Sequence, residues 1–239
     1  MKNVRLFETK SEYESAELIC PNLSYTKDDG NTYSHPVKFI TLVDLGLPSG
    51  TKWMKCNIGA ETETDFGLFF QWGDTVGYAG DDAKKYSYWS TSPGNGGSSS
   101  YDLESLESWN KINLTNGLLS PKTDAAFVHT NGQAKMPTRE QFLELISGTN
   151  HSWTTNNGVI GRTFTNKSDS SKYIFIPAAG YYIDGKYASK GQGGYAWTSS
   201  LGDTTANYAF NFRSYSSGSS ATVGGSSRYF GLNIRGVHK

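Results

Sequence analysis

Residues 206–213 read Ala-Asn-Tyr-Ala-Phe-Asn-Phe-Arg, so aromatic side chains alternate with small or polar ones. Because successive side chains of a β-strand point to opposite faces, this alternation predicts a strand. The fixed inner face is expected to consist of Tyr208, Phe210 and Phe212. The outward face of the same strand is expected to carry Ala209, Asn211 and Arg213.

The rest of the chain also favours short strands. The segment 214–227 is almost entirely small and polar, and the Asp184-Gly185 dipeptide between tyrosine-rich flanks predicts a β-hairpin. Further strands are predicted from apolar and alternating runs at residues 39–43, 51–58, 174–180 and 228–237. The chain is therefore expected to contain several antiparallel β-hairpins joined by long loops.

One segment has the pattern of an amphipathic helix. Thr138 is placed to cap its N-terminus, and Gln141 completes a capping box three residues later. The apolar residues expected on its buried face are Phe142, Leu145 and Ile146, and Gly148 can end it. With few helices, many strands and long loops, the expected fold class is α+β with an antiparallel sheet.

Residues 1–40 differ in sequence pattern from the rest of the chain. They predict an N-terminal arm or small attachment segment, with a short helix over residues 11–18, ahead of one domain over residues 41–239. The N-terminus has no apolar core of a signal peptide, and no stretch approaches transmembrane length. The expected location is therefore the virion, or the cytoplasm as synthesised, without membrane insertion.

Composition and charge narrow the expected partners. The 22 Lys and Arg residues balance 22 Asp and Glu residues without a basic cluster, so nucleic acid is not expected as a partner. The histidines and the two cysteines, Cys20 and Cys56, are not spaced as metal ligands. A buried free thiol at Cys56 is favoured over a disulfide. Neither a metal nor another cofactor is expected.

The sequence lacks the common catalytic motifs. There is no Gly-x-Ser-x-Gly elbow, neither cysteine has a neighbouring histidine, and the glycine-rich residues 90–100 lack the Lys-Ser/Thr of a phosphate-binding loop. An acidic patch is suggested by Asp65, Asp74, Asp81 and Asp82. Without EF-hand spacing, these are interpreted as solvated loop charges rather than calcium ligands. The chain is accordingly expected not to be an enzyme.

Several sequence blocks occur together in a specific order. They are Val43-Asp-Leu-Gly-Leu-Pro-Ser-Gly-Thr-Lys-Trp53, Cys56-Asn-Ile-Gly-Ala60, Phe70-Gln-Trp-Gly-Asp74, Met136-Pro-Thr-Arg-Glu-Gln-Phe-Leu-Glu-Leu-Ile146, Phe175-Ile-Pro-Ala-Ala-Gly-Tyr181, Gly194-Tyr-Ala-Trp-Thr-Ser-Ser200 and Tyr229-Phe-Gly-Leu-Asn-Ile-Arg-Gly-Val237. Over residues 41–237 the chain resembles the Fibrobacter succinogenes major-paralogue domain family. The family ending is usually Arg-Pro-Val, whereas this chain has Arg235-Gly236-Val237, a departure not expected to change the strand.

That family is similar to the C-type-lectin-like fold of formylglycine-generating enzymes and of the variable proteins of diversity-generating retroelements. The resemblance implies a ligand-binding protein of Bacteroides phages or prophages, whose C-terminal strands and loops expose hypervariable residues to a protein or glycan ligand on a cell surface. A homotrimer stays open by analogy with tail proteins. Formylglycine-generating activity is not implied, because it uses cysteines in the C-terminal core and no cysteine follows Cys56.

The composition of residues 195–233 fits a binding surface independently of the resemblance. Tyrosine supplies contact area at low entropic cost, and Ser, Gly and Asn supply adaptable hydrogen bonds. The ligand-binding residues are predicted to be Tyr195, Asp203, Asn207, Ala209, Asn211, Arg213, Tyr215, Ser226, Ser227, Tyr229 and Asn233. Tyr229 can be core beside Phe230 instead, and Trp72, Trp197 and Ile234 are interpreted as core residues.

Other readings stay open at this stage. Residues 195–233 can be merely a Ser/Gly-rich loop between strands instead of a display surface. The domain can also be a carbohydrate- or surface-binding module that is not diversified. An enzyme on the same fold is the least favoured reading, and activity lost in a Cys56→Ala variant would revive it.

Overall fold

A computed structural model of the chain describes residues 5–7, 23–26, 32–35, 40–79, 102–108, 112–183, 186–202, 207–216 and 221–239. In the N-terminal part, β1 (Arg5–Phe7) pairs in parallel with β2 (Leu23–Thr26), and β2 pairs antiparallel with β3 (Thr32–His35). Several expectations fall outside the described residues, namely those for the helix over 11–18, Cys20, Asp81, Asp82, the loop 90–100, the Asp184-Gly185 turn itself and Asp203.

A five-stranded antiparallel sheet positions the candidate site. Its strands are β6 (Leu114–Thr115), β7 (Leu118–Leu119), β13 (Gly193–Leu201), β14 (Tyr208–Tyr215) and β15 (Ala221–Ser227). Their order across the sheet is β15-β14-β13-β7-β6, so β14 is an interior strand. The strand predicted over residues 206–213 is confirmed as β14.

The remaining strands of the domain form smaller antiparallel groups. Their members are β4 (Leu42–Asp44), β5 (Lys52–Met54) and β16 (Val237–His238) in one, β8 (Asn150–Asn156), β9 (Val159–Thr165) and β10 (Tyr173–Pro177) in the next, and β11 (Tyr181–Ile183) with β12 (Lys186–Ala188) in the last. The pairing of β11 with β12 confirms the predicted hairpin. The order β16-β5-β4 brings the last residues of the chain back to the first strands of the domain.

The predicted helix is confirmed with its cap. The described helices are α1 (Leu103–Ser108), α2 (Ala125–His129) and α3 (Arg139–Gly148). At the start of α3, the Thr138 hydroxyl accepts a hydrogen bond from the Gln141 amide, and the Gln141 side chain accepts one from the Thr138 amide. Phe142 and Leu145 are buried in the core, and Ile146 packs beside them, as the helical spacing predicted.

The strand predicted over residues 228–237 is largely absent. Within it, Gly231 bridges to Tyr182, Leu232 to Phe70, and Asn233 to Ala196, so three successive residues pair with three different partners. A continuous ladder needs one partner strand, and this segment instead runs between several elements. Only Val237–His238 forms a strand, and it pairs with β5.

Strand β14 is covered on both faces, which corrects the predicted inner and outer sets. The even-numbered face places Phe212 in a core with Trp53, Phe142 and Phe164 below α3. The odd-numbered face places Ala209 in a second core with Trp197, Trp72 and Leu232. The alternation of the strand is as predicted, but Ala209 and Asn211 are fully buried, and Ala209 shares its core with Leu232 and Ile234 of the segment before β16.

Of the three side chains expected on the buried face of β14, only one is fully buried. Phe212 is fully buried, Phe210 is half-buried and contacts the Arg139 guanidinium, and Tyr208 is 39% exposed. Tyr208 is the first residue of β14. The alternation of the strand predicts which face a side chain is on, but it does not predict whether another element covers that face at the end of the strand. Trp197, Trp72 and Ile234 are buried, as expected.

A buried arginine fastens the C-terminal segment to the domain. Arg235 is fully buried, and its guanidinium donates hydrogen bonds to the carbonyls of Met54, Lys55 and Phe175 and to the Asn57 side-chain oxygen. Burial lowers the pKa of Arg235 to about 10, so it remains charged near neutral pH. This one side chain joins β5, β10 and the segment before β16.

Within the described residues, the architecture is α+β with antiparallel sheets in the domain and few helices. None of the helices in these ranges has the length and apolar character needed to cross a membrane.

Candidate ligand-binding pocket

A cavity of about 160 Å³ opens on the odd-numbered face of the five-stranded sheet. The residues that line it are Tyr181, Tyr195, Arg213, Tyr215, Ser226, Phe230 and Leu232. Tyr195, Arg213, Tyr215 and Ser226 belong to the set predicted from the sequence. We call this cavity with its seven lining residues the β14 pocket.

Strand pairing brings the predicted residues together. Tyr195 of β13 lies opposite Arg213 of β14, and Gly193 lies opposite Tyr215. Residues directly opposite each other in an antiparallel pair share a face, and their Cβ atoms lie about 4.5–5.5 Å apart. The missing side chain at Gly193 leaves room for Tyr195, since a Cβ there would lie 3.1 Å from the Tyr195 hydroxyl oxygen.

The Arg213 side chain lies across the neighbouring strand β15. Its Nε donates to the Asn211 side-chain oxygen at 3.3 Å, and its Nη2 donates to the Ser226 hydroxyl at 3.1 Å and to the Gly225 carbonyl. A Cβ on Gly224 would lie 3.3 Å from the Arg213 Cζ atom, so the glycine lets the guanidinium approach the backbone. All of these acceptors are uncharged.

Aromatic rings form the other wall of the β14 pocket. Tyr181 packs edge-to-face on Tyr195, with ring centroids 5.0 Å apart, and stacks nearly parallel to Phe230 at 5.5 Å. Tyr195 also meets Tyr215 edge-on at 5.8 Å. Tyr195 is 8% exposed and Tyr215 is 37% exposed, so Tyr195 forms the floor and Tyr215 forms the rim.

The Tyr195 hydroxyl is held in its neutral form. Burial raises the pKa of Tyr195 to about 12, and the neighbouring Tyr215 acts in the same direction, whereas the hydrogen bond with the Ser189 side chain opposes the shift. Near neutral pH the floor of the pocket therefore presents a hydroxyl rather than a phenolate. The pocket has one positive charge, on Arg213, and polar neutral groups around it.

The other predicted residues lie outside the β14 pocket. Asn233 is 2% exposed, and its amide nitrogen donates to the carbonyls of Phe66 and Leu68 at 2.9 Å, which makes it a structural residue. Ala209 and Asn211 are fully buried, so neither can present a surface to a ligand directly. Asn207 and Tyr229 are half-buried, and Ser227 is buried at the end of β15.

Sequence reasoning missed three lining residues, Tyr181, Phe230 and Leu232. Tyr181 comes from β11, while Phe230 and Leu232 come from the segment that was expected to be a strand. The tyrosine-rich flanks of the predicted hairpin were a local signal for an aromatic surface near Tyr181. The sequence contained no signal that placed this hairpin beside β13.

The carboxylates that the sequence suggested as an acidic patch make local hydrogen bonds where the structure describes them. In the ranges that the structure describes, no cluster of three or more His, Cys, Asp or Glu side chains could hold a metal ion. Asp65 accepts hydrogen bonds from the amides of Glu61 and Thr62, and Asp74 accepts one from Val76, as expected for carboxylates that cap turns.

Cys56 is a free thiol that is only half-buried, and it lines a second cavity of about 190 Å³. The free state agrees with the sequence prediction, whereas burial is less than expected. Desolvation raises the pKa of the Cys56 thiol, against the opposing effect of Arg235. A thiol with a raised pKa is a poor nucleophile at neutral pH, because the thiolate is the reactive form.

A contact between the buried Arg162 and the half-buried His151 supports β14 beside the pocket and gives a testable pH dependence. The Arg162 Nε donates to the Ser214 hydroxyl at 2.6 Å, and its Nη1 lies 3.1 Å from the His151 Nδ1. Since the guanidinium can only donate, the His151 Nδ1 must be unprotonated. Burial and the Arg162 charge both lower the pKa of His151 below its ordinary value.

We expect the free energy of unfolding to decrease as the pH falls below about 6.5, the ordinary histidine pKa. The unfolded chain takes up the His151 proton first, so stability present above that pH is lost on acidification. Urea denaturation at pH 7.5, 6.5 and 5.5 measures this slope. His151→Gln should flatten it, whereas His238→Gln, at an exposed histidine, should not. An equal slope in the wild type and the His151→Gln variant would contradict the assignment.

Comparison of the chain with protein-family models, curated proteins and solved structures finds no match. The residues of the β14 pocket and the sequence resemblance are therefore the observations that bear on function.

Proposed function

We propose that this chain is a ligand-binding protein whose binding site is the β14 pocket with its exposed rim. The observation that carries the proposal is the convergence of Tyr195, Arg213, Tyr215 and Ser226 on one cavity. These residues come from three adjacent strands, and the sequence predicts a binding role for all four. A cavity with aromatic walls and a few convergent polar groups is the usual form of a small-ligand site.

The composition of the β14 pocket supports binding rather than catalysis. Its seven lining residues are tyrosines, phenylalanine, leucine, serine and arginine, with no carboxylate, histidine, cysteine or lysine among them. General acid–base catalysis most often uses those missing groups. Tyrosine and serine are instead the residues on which antibody-type binding surfaces depend. We therefore propose a non-enzymatic role, without a cofactor.

The finer proposal is a C-type-lectin-like variable protein of a Bacteroides phage or prophage, carried on an N-terminal arm in the virion. The sequence resemblance supports it, and so does the location of the pocket on the C-terminal strands β13, β14 and β15. The ligand is then a protein or glycan on a cell surface, bound by a homo-oligomer such as a trimer.

Sequencing the genetic locus tests this finer proposal. A nearby reverse transcriptase and a template repeat are expected, with adenine-biased differences confined to codons 195–233. Because Ala209, Asn211 and Asn233 are buried, the differences should favour exposed or rim positions such as Tyr215 and Thr222. A locus without a reverse transcriptase would remove the variable-protein part and leave the binding proposal.

Two exposed tyrosines on opposite faces of β14 provide a matched test of the binding surface. Tyr215 is 37% exposed on the pocket face, and Tyr208 is 39% exposed on the other face. With fluorescently labelled full-length protein on a glycan array and on Bacteroides cells, Tyr215→Ala should weaken binding about 10-fold or more, since tyrosine is one of the residue types enriched among interface hot spots. Tyr208→Ala should leave it nearly unchanged. If only the Tyr208→Ala variant lost binding, the binding site would be on the face of β14 opposite the pocket.

The second candidate is a carbohydrate-binding module without diversification. The small volume of the β14 pocket, about 160 Å³, favours it, because the cavity is smaller than the roughly 300–1,000 Å³ of sites for larger ligands. A saturable signal on the glycan array together with a locus that lacks a template repeat would select it. Trp72 is not its sugar platform, since Trp72 is 2% exposed and its Nε1 donates to the Thr198 carbonyl at 2.8 Å.

A further inference from the structure

We propose that the β14 pocket binds a sugar acid, with the ligand carboxylate on Arg213 and the sugar ring against the tyrosines. This inference rests on the proposed binding function and specifies its ligand class.

The positive charge of Arg213 has no carboxylate partner among the described residues. Its hydrogen-bond acceptors are the Asn211 side-chain oxygen, the Gly225 carbonyl and the Ser226 hydroxyl, all of them neutral. Within the same ranges, its Nη1 has no acceptor. The neutral contacts hold the guanidinium in a fixed position at the cavity and leave its charge for an anion. Arginine matches planar carboxylates through its fork of N–H donors.

Arg139, on the other face of the sheet, differs from Arg213 in having a charged partner among the described residues. Its Nη1 lies 3.6 Å from a Glu140 carboxylate oxygen, and its guanidinium lies 5.0 Å from the centroid of Phe210. Arg139 therefore has both an acidic neighbour and an aromatic one from within the chain. Arg213 has fixed neutral partners and an open cavity instead, which is the arrangement of a binding group.

The groups around Arg213 favour a ring that carries hydroxyls over a simple carboxylate. Tyr181 and Phe230 offer ring surfaces for apolar C–H groups, while Tyr195, Tyr215 and Ser226 offer hydroxyls that both donate and accept hydrogen bonds. An acidic side chain of a protein ligand would use the guanidinium but not the surrounding hydroxyls. A sugar acid uses both, so the pocket fits a glycan better than a peptide.

The cavity volume sets the size of the bound unit. About 160 Å³ is enough for one small ring but lies below the roughly 300–1,000 Å³ of larger ligand sites. The exposed position of Tyr215 at the rim leaves a route for the rest of a glycan to extend into solvent. The ligand class is therefore a terminal acidic monosaccharide on a larger glycan.

Matched sugars test the role of the carboxylate. Isothermal titration calorimetry on the full-length protein would compare methyl β-glucuronide with methyl β-glucoside, which share a ring and differ in the carboxylate, and would use acetate as the carboxylate without a ring. The methyl glycoside of N-acetylneuraminic acid represents the second source of sugar acids. At least one of the two acids should bind 10-fold or more tightly than the glucoside and than acetate.

Two arginine variants complete the experiment. Arg213→Gln should weaken binding of the acidic sugar about 10- to 100-fold, because a hydrogen bond to a charged group is lost. Arg139→Gln makes the same charge change on the opposite face and should leave binding unchanged. Arg213→Lys keeps the charge but not the fork, and should recover only part of the affinity. Thermal unfolding of each variant shows that the fold is intact.

The outcomes separate this inference from the proposed function. Binding of neither acid, equal binding of the glucoside, or equal loss in the Arg139→Gln variant would overturn the sugar-acid assignment. If Tyr215→Ala still weakens binding to cells in that case, the β14 pocket remains the proposed binding site, but for a different ligand. If the Arg213→Gln variant unfolds, the Arg213→Lys variant and the comparison of the acid with the glucoside on the wild type still decide the assignment.

Discussion

Replacing Arg235 by methionine is expected to lower the free energy of unfolding by about 4 kcal/mol. The guanidinium is fully buried and donates to three backbone carbonyls and to the Asn57 side-chain oxygen. Methionine is similar in length, but it leaves all of these acceptors without a donor. Each unsatisfied buried acceptor costs about 1–3 kcal/mol, so the loss should exceed that of most single substitutions.

An opposing contribution makes this prediction informative. Burying a cation is itself costly, and an apolar replacement removes that cost. We expect the acceptors to dominate, because they belong to backbone carbonyls that methionine cannot satisfy. Chemical denaturation measures the difference, and Arg139→Met, at an arginine whose side chain is 42% exposed, is the control. A change below about 1 kcal/mol for Arg235→Met would show that desolvation offsets the hydrogen bonds.

Replacing Phe212 by alanine is expected to cost about 3–5 kcal/mol of stability. The Phe212 ring stacks on Phe142 of α3, with centroids 5.0 Å apart, and meets Phe164 of β9 edge-on at 5.8 Å. It therefore connects the five-stranded sheet, the helix and the β8–β10 meander. Alanine would remove the ring and leave a cavity that the close-packed neighbours can fill only in part.

Neighbouring positions on β14 provide the controls for Phe212. Tyr208→Ala lies on the same face, but Tyr208 is 39% exposed, so the loss should be less than about 1 kcal/mol. Phe212→Leu keeps most of the volume and should fall between the two. Equal effects of Phe212→Ala and Tyr208→Ala in urea denaturation would contradict the burial of Phe212 between α3 and β9.

The same strand thus carries the core and the site on alternate residues. Phe212 is fixed between α3 and β9, and Arg213, the next residue, points to the opposite face and into the β14 pocket. The packing of Phe212 therefore determines where the Arg213 backbone lies. We expect the Phe212→Ala variant to lose affinity for any ligand of the pocket, in addition to its loss of stability.

Local patterns predicted the elements that short-range physics controls. The capping box at Thr138 and the apolar spacing that follows it identified α3, because both depend on residues within a few positions of each other. The Asn157-Gly158 dipeptide joins β8 and β9 with both residues at positive φ, which is the turn geometry this pair favours. That hairpin signal was present in the sequence, although the two strands were not predicted from it.

The sequence did not predict strands that form only by pairing with a distant segment, because their local composition does not favour a strand. The segment 214–227 is nearly all small and polar, and its sequence predicts no strand, yet residues 221–227 form β15. Glycine and serine have low strand propensity, and the strand exists because β14 offers it a full ladder of backbone partners. The glycines of β15 also make room for the Arg213 side chain.

The sequence by itself determined the α+β class, the helix α3, the strand β14 with its alternation, and four of the residues that line the β14 pocket. These depend on periodicity and on composition, which act within one segment. Only the tertiary structure decided that both faces of β14 are covered, that Asn211 and Asn233 are structural, and that Tyr181 and Phe230 join Tyr195, Arg213 and Tyr215 in one pocket. Those outcomes depend on which element packs against which face, and contacts between residues far apart in the chain decide that packing.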